Sequence, residues 1–261
     1  MHSFDSNDFS YDNYRRLLTF LDNEYEIFSF KDAYRLGAKI LDVPRFVILR
    51  HDVEFSVKGA LALARIEHEL GIKSTFFFLQ TSDYNCFDRH EAERIREIIS
   101  LGHDVGLHYD ASLFEDMKVD PVVAAKLQIK LFECFFNVKV HAMSSHMPMR
   151  SGKAFSIDGV IDTYDPLYLR DIKYISDSNQ VWRENISTKG LLEHQQIHLL
   201  LHENTWSDDG LSIFEISLAE AFEKFQKHHT NALKYNSMVK VGLKNRAVKD
   251  NEFKKRYFSS N

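Results

Sequence analysis

A chain of 261 residues with 44% hydrophobic and 27% charged side chains, 10 glycines and 4 prolines can bury a large core and has too few breakers for a repetitive or disordered polymer. Its net charge of -5 makes non-specific nucleic-acid binding the wrong starting point. The two cysteines, Cys86 and Cys134, lie outside any C-x-x-C pattern, and Cys134 falls in an apolar helical stretch, which predicts a buried, inert thiol.

The N-terminus has no basic stretch followed by an apolar one, and no run approaches the ~18 apolar residues of a membrane span, so a cytoplasmic location is the expectation. Residues 11–41 read as helical, with Tyr14, Leu17, Leu18, Leu21, Phe30, Ala33, Leu36 and Ile40 at helical spacing until Pro44 ends the segment. Residues 45–50 are a short apolar run of the kind that forms a strand buried on both faces, predicted to stop at His51. Ser56 is placed to cap the next helix, which Gly71 closes.

Further strands are expected at 74–79, 104–108, 138–143, 160–163, 172–175 and 197–201. Helices are expected at 88–101 and from Asp120-Pro121 to about Phe136, with a last long helix starting near Ser212. Alternating strands and helices at this spacing imply parallel βαβ units, hence one α/β domain. Lys240, Lys244, Arg246, Lys249, Lys254, Lys255 and Arg256 form a basic tail. It could touch an anionic membrane surface; the plainer expectation is a solvated, partly frayed end.

In parallel α/β folds the chemistry gathers at the carboxyl ends of the strands. Here five predicted strands run into His51-Asp52-Val53-Glu54, His108-Tyr109-Asp110, Ser144-Ser145-His146, Ser176-Asp177 and His202-Glu203-Asn204. Buried charges are costly unless paired or bound to metal, so this convergence predicts a divalent metal site. Mixed imidazole and carboxylate ligands suit zinc, with cobalt, nickel or manganese as neighbours.

Those segments, in that order, resemble the polysaccharide deacetylase superfamily, the NodB-homology or carbohydrate-esterase family-four domain, over about residues 46–204. The resemblance implies a distorted (β/α) barrel of the NodB type, expected over 45–235; the helical N-terminal extension over 1–44 and the basic tail over 236–261 lie outside it. It also implies metal-dependent removal of an N- or O-acyl group from a sugar.

In the first motif, Asp52 takes the metal-ligand position and His51 the base position, where the family carries aspartate. On an extended strand Asp52 and Glu54 point to one side and His51 to the other, so Glu54 is a rival base or a second ligand. His108 takes the first metal-histidine position, and Ser112 stands where the second histidine is usual. Either Asp110 or His146 completes the site; His146 occupies the place of the family's arginine. Asp177 would tune a catalytic histidine, Trp182 would wall the pocket and His202 would be the general acid. Arg50, Asp110, Trp182 and Trp206 are the candidate substrate-binding residues.

The implied partner is an acylated sugar on a nucleotide-linked or lipid-linked glycan. Two alternatives stay open: a non-catalytic metal- or glycan-binding descendant of the fold, and a metal-independent glycoside hydrolase using Asp52 and Glu54.

Overall fold

The computed structural model describes residues 4–148, 150 and 155–258, with side chains as far as Val241. The chain divides into two compact units, Met1–Ile216 and Ser217–Asn261. The first holds an eight-stranded parallel sheet with helices around it, a distorted (β/α) barrel.

The strands are β1 (Glu26–Phe28), β2 (Phe46–Val53), β3 (Thr75–Leu79), β4 (Asp104–Tyr109), β5 (Ala142–Ser145), β6 (Ile161–Asp162), β7 (Lys173–Ser176) and β8 (Gln196–His202). Their order is β6-β5-β4-β3-β2-β8-β7. On the other side of β2 from β8, β1 takes the first half of the strand and β3 the second. The helices are α1 (Tyr11–Glu24), α2 (Phe30–Leu36), α3 (Val57–Glu69), α4 (Arg89–Ser100), α5 (Ala111–Asp116), α6 (Pro121–Phe136), α7 (Thr188–Leu192) and α8 (Ile213–Phe258).

Local chemistry explains the helix starts. Ser56 accepts from the Gly59 N–H to open α3, and Asp120 accepts from the Val122 and Val123 N–H groups to open α6, with Pro121 in its first turn. Central strands β2, β3 and β4 are buried along their whole length, as parallel strands covered on both faces must be. A Cβ at Gly106 would lie 2.4 Å from the Phe77 ring, so only glycine lets β4 and β3 pack at that point.

The structure departs from the sequence expectation in several places, among them β5, which starts at Ala142 and not at Val138. Residues 11–41 are not helical throughout: Tyr25 is extended, and Glu26–Phe28 pairs with Phe46–Ile48 before a Ser29/Asp32 capping box starts α2. The free edge of β2 outweighs local helical periodicity there. Strand β2 does not stop at His51 but runs to Val53, because His51 and Asp52 find polar partners inside the protein. Cys134 is exposed, since α6 buries Ala125, Ile129, Phe132 and Phe136 instead; Cys86 is the buried thiol. The basic stretch from Lys240 lies within helix α8 rather than in a frayed end.

The second unit consists of α8 from Ser217 onward. Among the described residues no helix is long and apolar enough to cross a membrane.

Candidate active site

Strand β2 sorts its polar side chains by the two-residue period of a strand. His51 faces one way, into a closed network. Its Nε2 lies 2.5 Å from Glu67 Oε1, the Tyr14 hydroxyl donates to the same oxygen, and Ser74 Oγ donates to Glu67 Oε2 at 2.5 Å. His51 and Glu67 have no exposed surface. Burial pushes the Glu67 carboxyl up, but the His51 charge and hydrogen bond outweigh it and hold it below the ordinary value.

The other direction carries the open cluster. Glu54, one residue past the end of β2, places Oε1 3.0 Å from His108 Nε2 and 2.8 Å from His146 Nδ1. The two imidazoles stand nearly perpendicular, with ring centroids 5.2 Å apart. Burial raises the Glu54 carboxyl, and hydrogen bonds to both histidines override it, taking it well below the usual carboxylate range. The same carboxylate raises His146, against the opposing effect of burial.

These three residues fit a metal ion. His108 Nδ1 lies 3.0 Å from the Ser144 carbonyl, which can only accept, so that nitrogen carries the hydrogen. That leaves Nε2 as the ring nitrogen turned toward Glu54 Oε1, the atom that would ligate a cation held there. One carboxylate and two imidazoles, with ligand atoms within 4.8 Å of one another, are a donor set for zinc or a neighbouring divalent ion. The backbone partner of His108 is the kind of outer contact that orients a metal-binding histidine.

Asp52 lies beside this cluster with a different set of partners. Its Oδ2 accepts from Ser144 Oγ at 3.1 Å and pairs with Arg50 Nη2 at 3.4 Å. Its Oδ1 is buried with no hydrogen-bond partner. Arg50 is fully buried; it also donates to Ser144 Oγ at 3.0 Å and to Thr163 Oγ1, and its guanidinium lies over the Tyr164 ring.

His202 stands opposite Asp52 in the β2–β8 register. Its Nδ1 donates to Asp177 Oδ1 at 2.7 Å, which leaves Nε2 as the free ring nitrogen. Asp177 is itself buried; its Oδ2 accepts from Thr205 Oγ1 at 2.6 Å and Trp206 Nε1 at 2.9 Å. Burial lowers the His202 imidazole, but the Asp177 hydrogen bond and charge outweigh it, raising it to about 9.

The structure thus brings together Asp52, Glu54, His108, His146, His202 and Asp177. It separates His51, whose imidazole is sealed on the opposite face of β2 and cannot reach a water in the cluster. Arg50 and Trp206, expected at the substrate, are buried behind Asp52 and Asp177 and have almost no surface to offer one. Asp110 caps α5, accepting from Ser112 Oγ at 2.6 Å and the Leu113 N–H at 3.1 Å. Trp182 stacks on Phe9 and lines a groove of about 450 Å³ together with Asn7, Gln180 and Asn185.

Residues not singled out from the sequence hold the cluster. Ser144, Thr163 and Tyr164 surround Arg50, and Thr205 joins Trp206 on Asp177. Tyr164 lies 114 positions from Arg50, and no local pattern connects them. Glu203 carried a signal, as a carboxylate at the end of an apolar strand directly after His202.

No family model matches the chain, and no curated protein does. Solved structures similar to it include a mutant of a CE4-family pseudoenzyme with restored enzymatic activity, whose wild type is from Bacillus anthracis. That similarity is at 15% identity over 71% of this chain and 64% of that one, with a TM-score of 0.39. Another is the chitin deacetylase of the fungal pathogen Colletotrichum lindemuthianum, at 16% identity over 68% and 81% of the two chains and a TM-score of 0.38. A Streptococcus pyogenes deacetylase in complex with acetate is similar at 15% identity over 70% and 84%, with a TM-score of 0.44.

Proposed function

We propose that this chain is a divergent polysaccharide deacetylase, a metal-dependent hydrolase that removes an acyl group from a sugar. The observation that carries the reading is the convergence of Glu54 Oε1, His108 Nε2 and His146 Nδ1 on one point beside two further ionisable groups, Asp52 and His202.

Glu54, His108 and His146 would hold a divalent ion, zinc by donor type. When bound, such an ion polarises an acyl carbonyl and makes water easier to deprotonate. Asp52 is the general base in this reading. Arg50 and Ser144 fix Oδ2, and the partnerless Oδ1 is the oxygen left to take a proton. His202 is the general acid. Asp177 anchors its Nδ1 and keeps the ring charged near neutral pH, so Nε2 can hand a proton to the leaving amine or alkoxide.

These roles differ from those implied by the first motif. Asp52 moves from ligand to base, Glu54 serves as ligand, and His51 supports the fold. A glycoside hydrolase is the poorer reading, because it needs a carboxylic acid that keeps its proton, and Glu54 is driven the other way.

The test pairs zinc binding with release of acetate from N-acetylated glucosamine oligomers. The proposal expects about one zinc per chain and activity that a chelator removes and zinc restores. Activity that survives full metal removal would sink it.

A further inference from the structure

Strand β2 ends at Val53, so its hydrogen-bond ladder positions Asp52 but not Glu54. Something else must hold the Glu54 backbone. The carboxylate of Glu203, only 1% exposed, does so from β8's side of the sheet. Its Oε1 accepts three successive backbone N–H groups, from Glu54 at 3.1 Å, Phe55 at 2.6 Å and Ser56 at 2.9 Å. The Glu54 carbonyl is held as well, by Ser82 Oγ at 2.5 Å.

Glu203 also fits closely under the first turn of α3. A Cβ at Gly59 would lie 3.2 Å from the Glu203 carbonyl oxygen, so glycine permits the approach. Its Oε2 is buried without a hydrogen-bond partner, an arrangement with a cost that fold stability alone does not call for.

We infer that Glu203 is a positioning residue: one carboxylate that ties the Glu54 loop to the residue next to His202, setting the metal ligand at a fixed place relative to the acid. The inference rests on Glu54 being a metal ligand, as proposed above. It acts through the backbone of residues 54–56 and not through contact with metal or substrate.

The experiment measures zinc affinity by competition with a chelator, and amide hydrogen exchange at residues 54–56, in full-length wild type, Glu203→Gln and Glu203→Ala. The glutamine carbonyl can accept the same three N–H groups, so Glu203→Gln should keep zinc affinity within about threefold and keep the amides protected. Glu203→Ala should weaken zinc by about 10–100-fold, the usual range for lost outer contacts, and unprotect those amides. Ile98→Ala, a cavity in α4 away from the site, supplies the stability control; at a comparable loss in Tm it should retain wild-type affinity.

A folded Glu203→Ala protein with wild-type affinity and protected amides overturns the inference. If that variant does not fold, Glu203→Asp, one methylene too short, must show the loss instead, and wild-type behaviour there overturns it equally. If wild type binds no zinc, the proposed function fails by itself. Amide exchange then judges the role of Glu203 separately: unchanged protection in the alanine variant refutes it, and lost protection upholds it.

Discussion

The two faces of β2 carry the same kinds of residue and do different things with them. On one, His51 meets Glu67 with Tyr14 and Ser74 around it, and both glutamate oxygens are taken by donors. The His51 ring stacks on Phe76 at 4.4 Å between centroids, and no water-facing surface remains. On the other, Glu54 offers one oxygen to two imidazoles, and the side chains of Glu54 and His146 keep 18% and 16% of their surface exposed. The histidine–carboxylate pairing is shared by both faces. Access separates them: the first face is chemically closed, and the second turns two imidazoles and a carboxylate oxygen toward one another at a partly exposed site.

The largest effect should come from removing a ligand on the open face. His108→Ala or Glu54→Ala should lower zinc affinity by about 100-fold or more and take turnover to background, read by metal analysis and acetate release. If either variant kept full metal occupancy, the open face would be no more a metal site than the closed one.

Asp52→Asn should follow, with turnover down about 10²–10⁴-fold while zinc is still bound, the range for loss of general base catalysis. A parallel loss of zinc would return Asp52 to the ligand role and blur the division between it and Glu54.

On the closed face, Glu67→Ala leaves a buried His51 without its partner and should cost about 3–5 kcal/mol in denaturant unfolding. Zinc affinity of the folded fraction should be unchanged. The reverse pattern, intact stability and lost metal, would show that the two faces are not separate.

The smallest effect concerns pH. A histidine whose folded pKa, about 9 for His202, exceeds its unfolded value of ~6.5 stabilises the fold fully below pH ~6.5. That contribution disappears as pH rises through about 9. Asp177→Asn removes the charge that helps lift His202 while leaving a carbonyl that can accept from Nδ1, so melting temperature should vary less with pH across this window and the upper limb of the activity profile should move to lower pH. An unchanged activity profile would detach Asp177 from the acid.

Much of this was legible in the chain. The apolar runs ending in His or Asp are visible because buried parallel strands must be apolar on both faces and the loops after them are free to carry chemistry. Strand alternation places Asp52 and Glu54 together and His51 opposite, since that period is a property of the backbone. The helix caps at Ser56 and Asp120 are short-range chemistry and could be read the same way. Strand β1 could not, because its formation depends on an edge of β2 that exists only once the sheet is assembled.

The division of labour within the site was likewise decided in three dimensions. Asp52 and Glu54 are two positions apart and chemically alike, and sequence determines only that they share a side. Which one meets histidines and which meets Arg50 depends on groups brought from 54 to 113 positions away, among them His108, His146 and Thr163. Electrostatic partnership falls off over a few ångströms, so proximity in the folded chain, and not along it, assigns the roles.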